Sequence, residues 1–186
     1  NGEKSLLRTF KSALSQSKKA HILIVDNASI DKTYDILNSI EKLKLKNLTI
    51  IRNKNNLGRT GNWNKCLYFF SKSQYLYIKY LFSGDLIDET CIEETEKIFE
   101  SHINIGAVVF PYKFIDKDNN VFISKHKKYY NRLLKPDEVN KINIGEGGIL
   151  GAIISNVYSK ESIGDNCFDE SEISKSRFDI RVLENS

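Results

Sequence analysis

No stretch of this chain is apolar for long enough to cross a bilayer, and Asn1-Gly2-Glu3 does not open a signal peptide. As given, the protein is expected to be soluble or peripheral. Methionine is absent altogether, so Asn1 is not expected to be a gene start. Cysteine is scarce and odd in number. Cys66, Cys91 and Cys167 form no close pair, which argues against a disulfide framework or a zinc knuckle and fits a reducing, cytoplasmic compartment. Cys66 and Cys91 lie beside Leu67 and Ile92 in helical patterns and are expected to be small buried thiols. His21, His102 and His126 stand too far apart to form a metal pair. Charge of one sign is lacking too: 28 basic against 24 acidic residues leave a net +4, read as a mild bias spread over the chain and too small to argue for nucleic acid. Basic clusters at Lys42, Lys44 and Lys46 and at Lys125, His126, Lys127 and Lys128 are read first as solvated faces, with contact to anionic lipid as the alternative.

What is present suffices for one compact domain: 186 residues, 40% of them apolar and 11% aromatic. Leu6, Leu7, Phe10, Ala13 and Leu14 recur at helical spacing, and His21 to Val25 is a short apolar run ending in Asp26. Asn27 to Asp31 carries turn and N-cap residue types before a helix over Thr33 to Leu45. Leu48 to Ile51 predicts a strand, Asn53 to Gly61 a polar loop, Trp63 to Phe70 a helix, Tyr75 to Phe82 a buried strand, Glu89 to Glu100 a helix capped by Asp88, and Ala107 to Tyr112 another strand. Strands alternating with helices imply right-handed βαβ units and a mainly parallel sheet, so the fold class is α/β. After Tyr112 the alternation stops. Lys113 to Ile115 and Val121 to Ser124 flank a turn and predict a hairpin. Pro136 to Val139 opens a short helix, Gly145 to Gly151 is a glycine-rich loop, Ala152 to Tyr158 predicts a strand, and Phe178 to Leu183 a terminal helix or loop.

In an open parallel sheet, ligands sit at the carboxyl ends of the strands. Two such ends here are polar: Asp26-Asn27-Ala28-Ser29-Ile30-Asp31, which leads into a helix N-terminus, and Ser83-Gly84-Asp85-Leu86-Ile87-Asp88. Each alone is ordinary turn chemistry. Between them, however, Asn55 to Asn64 adds glycines, the cation Arg59 and several amides at the same edge, where an anionic, hydrogen-bonding ligand finds partners.

These segments resemble the family 2 glycosyltransferases, bacterial enzymes of the GT-A (Rossmann-like) fold that invert the sugar. ILIVDNASIDKT (22–33) is similar to the strand end that takes the nucleoside of a nucleotide sugar. NLGRTGNWNKCL (56–67) is similar to the following loop and helix, and KYLFSGDLIDETC (79–91) falls where the family carries its DXD-type metal motif. Residues 148–159 and 167–183 look like the acceptor side. The resemblance implies a single domain, residues 1–112 binding the nucleotide sugar and 113–186, with the hairpin, facing the acceptor. It places Asp26, Asn27, Ser29, Asn56, Gly58, Arg59, Asn62, Ser83 and Gly84 around the nucleotide sugar. It further implies Asp85 as ligand of Mn²⁺ or Mg²⁺ and Asp179 as catalytic base, with Asp169 and Glu172 as competing carboxylates.

A hard divalent ion suits a diphosphate leaving group and needs only one or two protein carboxylates. Inversion asks for a base on the opposite face of the sugar. Gly84 stands where relatives often have a first acid, so metal binding would rest on Asp85. The family's first strand, with Pro-Thr-Tyr-like contacts, would precede Asn1, and its absence is expected to leave two neighbouring strands without hydrogen-bond partners. The implied partners are a nucleotide-sugar donor and a glycan or lipid-linked acceptor, with peripheral contact at the inner face of the cytoplasmic membrane. The rival reading is a non-catalytic GT-A-like nucleotide- or glycan-binding module. Trp63 is read as core rather than as a sugar platform.

Overall fold

Periodicity placed the first helix correctly. In a computed structural model that describes residues 1–116, 118, 120–123, 129, 131–142, 144–145 and 153–168, α1 spans Leu6–Leu14 and buries Thr9 and Phe10. Strand β1 (Ile22–Asp26) follows, then α2 (Thr33–Glu41), which buries Leu37 and Ile40, and β2 (Leu48–Arg52). Next come α3 (Gly58–Lys72), β3 (Tyr77–Lys79), α4 (Cys91–Ser101) and β4 (Ala107–Val109). The hairpin is β5 (Lys113–Ile115) with β6 (Val121–Ile123), and α5 runs Pro136–Ile142. A 3-10 turn at Ile153–Ser155 then leads into β7 (Asn156–Ser159) and the short α6 (Lys160–Ile163), which the pattern did not announce.

The parallel βαβ unit is β1–α2–β2, paired in register from Ile22 with Leu48 to Asp26 with Arg52. A second group of strands has the order β3–β7–β4, with β7 antiparallel to both neighbours, so β3 and β4 run in the same direction on either side of it. This late strand, expected from the apolar run Ala152 to Tyr158, arrives from far along the chain, which is why the alternation in the sequence gave no sign of its place between β3 and β4. Strand β3 is shorter than the apolar run Tyr75 to Phe82 because β7 offers partners only opposite Tyr77, Ile78 and Lys79.

Strands β1 and β3 are each paired on one side only among the described residues. Between them lies a cleft of about 870 Å³ lined by Ile22 to Asp26 on one wall and by Tyr77 to Lys79 on the other. Below the cleft, Leu67, Phe70, Tyr80, Ile153, Ile163 and Phe168 form the core, with Trp63, Cys66, Phe82 and Tyr158 packed on it. Trp63 stacks on Phe82 (5.3 Å between ring centres) and meets Phe168 edge-on (5.2 Å), as expected of a core residue. Burial pushes the Cys66 thiol up to about 11 and raises that of Cys91, in keeping with inert thiols.

Two helix starts need correction. Helix α4 starts at Cys91, not Glu89, and its N-cap Thr90 makes no side-chain cap. Asp88 instead accepts from the N–H and hydroxyl of Thr90 in the preceding turn (3.1 and 2.8 Å), while the Ile92 N–H is met from outside by Gln16 Oε1 at 3.2 Å. Gln16, 2% exposed, also donates to the Asp88 carbonyl at 2.8 Å and so locks α1 to α4. Helix α3 likewise begins at Gly58, five residues earlier than the sequence indicated. Its first turns carry Arg59, Thr60, Gly61 and Asn62, none of them a large apolar residue, and so leave no apolar period to detect.

Candidate active site

The C-terminal end of β1 is wired to the start of α3 through one side chain. Asn27 donates from Nδ2 to Asn56 Oδ1 and to the Gly58 carbonyl, both at 2.9 Å, and its Oδ1 accepts from the Leu57 N–H (2.9 Å) and from Asn53 Nδ2 (3.2 Å). Two donors and two acceptor positions are thus all engaged. Asn53 Nδ2 passes the connection on to Asn62 Oδ1 at 2.9 Å, and Asn62 Nδ2 reaches the Val25 carbonyl at 3.4 Å. The backbone can follow this path because Ala28 and Gly58 both sit at positive φ (58° and 71°), where a short or absent side chain is favoured. Beside the hub, Asp26 Oδ2 accepts from the Ser29 N–H at 3.3 Å, which turns the chain toward α2. Asp26, Asn27, Ser29 and Asn62 all line the cleft. Arg59 lies over the Trp63 ring at 5.3 Å, which sets its guanidinium at the start of α3.

The second polar strand end, Ser83-Gly84-Asp85, is held by α1. Thr9, 6% exposed, accepts from the Gly84 N–H and donates to the Asp85 carbonyl, both at 2.9 Å. Ser5 and Ser83 share a hydroxyl hydrogen bond of 2.8 Å. Gly84 has φ 113°, a conformation that L side chains rarely adopt, so an acid at that position would be strained by its backbone although there is room for a side chain beside Ser5. The Asp85 carboxylate folds back to accept from the Phe82 N–H at 3.3 Å. Burial raises its pKa, opposed by that hydrogen bond and by the nearby Lys79 ammonium. Lys79 itself is half-buried on β3, donates to the Ile154 carbonyl at 2.5 Å, and is pulled below its usual range by desolvation.

The first residues of the chain join the two ends. Asn1 Oδ1 accepts from the Ile30 N–H (3.0 Å), Gly2 N–H donates to Thr33 Oγ1 (2.7 Å), and a side chain on Gly2 would run into Ser83 Oγ at 2.8 Å. Asp31 accepts from the Thr33 N–H and the Glu3 N–H at 3.1 and 3.2 Å. The structure therefore brings Asp26, Asn27, Ser29, Asn56, Gly58, Arg59 and Asn62 together at one edge and ties Ser83, Gly84 and Asp85 to the same edge through α1. Asp179, with Asp169 and Glu172, lies outside the described residues, as do the Lys125 to Lys128 cluster and most of the Gly145 to Gly151 loop.

Sequence reading missed Thr9, Asn53, Lys79 and the bridging role of residues 1–5. Thr9 and Lys79 left a signal, a polar residue on an otherwise buried face. Residues 1–5 left none, because their partners are distant in the chain.

Asp85 fits a divalent cation only as one ligand among several. Among the described residues no three His, Cys, Asp or Glu side chains converge on a common point. A half-buried carboxylate with a raised pKa gains from a cation, and a hard ion can draw its remaining ligands from phosphate oxygens and water.

Residues 1–156 match Glycosyl transferase family 2. The chain belongs to that family. This family 2 chain is 35% identical over 147 residues to the UDP-Glc:alpha-D-GlcNAc-diphosphoundecaprenol beta-1,3-glucosyltransferase WfaP of Escherichia coli, a match that covers 73% of the chain and 52% of the relative. Among solved structures it resembles S. aureus TarS 1-349 (TM-score 0.70, 16% identity, 98% of this chain and 50% of that one). The same protein in complex with UDP gives 0.69 at 16% identity, over 100% of this chain and 52% of that one. The fold is thus the GT-A fold, and the chain spans about half the length of the relatives it matches.

Proposed function

We propose that the chain is the donor-binding part of a glycosyltransferase that moves a sugar from a nucleotide diphosphate, UDP first among them, to a hydroxyl of a lipid-linked or surface glycan, with inversion. The observation that carries this reading is the wiring of three polar segments into one edge: the Asn27 hub unites the first two, and α1 fastens the Ser83 to Asp85 turn beside them. The named relatives act with UDP-glucose or bind UDP, which supports the choice of nucleotide.

In this reading Asp26 accepts hydrogen bonds from the nucleoside, while Asn27, saturated by the protein, positions the loop. Ser29, Asn62 and Ser83 offer hydroxyl and amide groups from the cleft wall, and Arg59 supplies positive charge to the diphosphate. Asp85 would hold Mn²⁺ or Mg²⁺, which supplies charge neutralisation for the departing diphosphate. During transfer the acceptor oxygen forms a bond to the anomeric carbon as the bond to the diphosphate breaks. The hydroxyl proton passes to a carboxylate, for which Asp179 is the candidate. Within this scheme residues 1–112 form the donor half and 113–186 the acceptor half. Titration of UDP, GDP and dTDP in the presence of Mn²⁺ tests the proposal: UDP is expected to bind, and the absence of binding by all three would overturn it.

A further inference from the structure

The hairpin β5–β6 forms a sheet of its own and is apolar on both faces. In its register Phe114 faces Phe122, with ring centres 6.3 Å apart, while Lys113, Ile115, Val121 and Ile123 occupy the opposite side. All six are exposed, Phe114 by 60%, Ile115 by 57% and Phe122 by 55%. Antiparallel ribbons ordinarily bury one face, and an isolated two-stranded hairpin is marginal in water. Charge is not spread evenly along the sequence either. Residues 113–135 hold seven of the chain's 28 basic residues and two of its 24 acidic ones, a net +5, so the other residues together carry −1. The chain's mild overall charge is therefore a local one, which corrects the reading of an even distribution.

We infer that this hairpin docks on an anionic bilayer surface, its apolar side chains immersed at the headgroup boundary and the net positive charge of its stretch of sequence drawn to acidic lipid. A flat protein partner would cover one face and leave the other wet, whereas a lipid interface receives both. A second copy of this chain would bring two like-charged segments together. Nucleic acid would answer the charge and leave the apolar side chains uncovered. Apolar groups combined with basic residues are the usual means of interfacial binding, and at that depth water still reaches the unpaired outer edges of the ribbon. The inference deepens the reading of a lipid-linked acceptor and rests on it for its purpose, but vesicle binding is measured without any sugar transfer, so the two can fail separately.

The test is co-sedimentation of the protein with phosphatidylcholine vesicles and with vesicles of phosphatidylcholine and phosphatidylglycerol at 3:1, at low salt and in 0.5 M NaCl, alongside the Phe114→Ser/Phe122→Ser variant. Circular dichroism establishes that the variant keeps its fold. The expected result is binding to the acidic vesicles, loss of most of it in high salt, and a further drop of at least about tenfold in the variant. Equal retention by both vesicles, no retention, or a variant that binds like the parent would overturn the inference. So would retention on an acidic soluble protein in place of the acidic vesicles.

Discussion

Replacing Thr9 by valine removes one hydroxyl without changing the shape of α1. That hydroxyl links the helix to both the Gly84 N–H and the Asp85 carbonyl, each at 2.9 Å. Valine leaves a donor and an acceptor without partners in a position that is 6% exposed, and each such group costs about 1–3 kcal/mol when water cannot reach it. Both bonds are only part-buried, so the lower end applies, for about 2–3 kcal/mol together. In a chain of this length that lowers the melting temperature by roughly 4–12 °C. Thr9→Ser keeps both hydrogen bonds and loses one methyl group, for about 1 kcal/mol. Thermal melts at neutral pH followed by circular dichroism distinguish the two. If Thr9→Val melts with or above Thr9→Ser, the turn that carries Asp85 is not held by α1. Nucleotide affinity measured on the same variants adds a second readout, since a displaced turn weakens metal-dependent binding in the valine variant and not in the serine one.

Asn27→Asp removes both donors that hold Asn56 and Gly58 and turns a carboxylate toward two oxygens; these bonds are exposed, so a loss of about 1–3 kcal/mol is expected, read as a lower urea midpoint with unchanged slope. His21, lowered by burial from 6.5, binds a proton in the unfolded chain before it does so in the folded one. Stability is therefore expected to fall as pH drops through the window just below 6.5, and a His21→Phe variant followed by urea titration at several pH values should flatten that dependence. Asp85, raised by burial, contributes stability that is present below about 3.8 and lost as pH rises through its folded value. Asp85→Asn is then at least as stable as the parent at pH 7, and a lower melting temperature there would contradict the burial argument. Thiol labelling under native conditions should modify exposed Cys167 rapidly and leave Cys66 and Cys91 unreacted until the chain unfolds.

How much of this was legible in the sequence follows the range of the interactions involved. Helix α1 announced itself because Leu6, Phe10, Ala13 and Leu14 repeat with the helical period. The hairpin did so because its turn residues sit between two short apolar runs. Strand β7 was visible as an apolar stretch, yet its place between β3 and β4 depends on pairings some 80 and 50 residues distant in the chain. The first turns of α3 were read as loop because their residues face the site, where polar groups replace the apolar repeat.

Within the site, Asp26 and Asp85 stood out as acids at strand ends. The role of Asn27 did not, since a carboxamide that reads a ligand and one that ties two loops look alike until their partners are known. Gly84 is the instructive case. The family resemblance implied an acid there, and the positive φ of this turn accounts for glycine without any reference to metal.

The central claim is that Asp85 takes part in holding a nucleotide diphosphate through a divalent ion at this edge. The direct test is calorimetric titration of UDP into the parent protein and into Asp85→Asn, each with Mn²⁺ and with chelator. The expected result is binding by the parent that requires Mn²⁺ and is weakened at least about tenfold in Asp85→Asn. UDP binding of equal strength in all four titrations would contradict it.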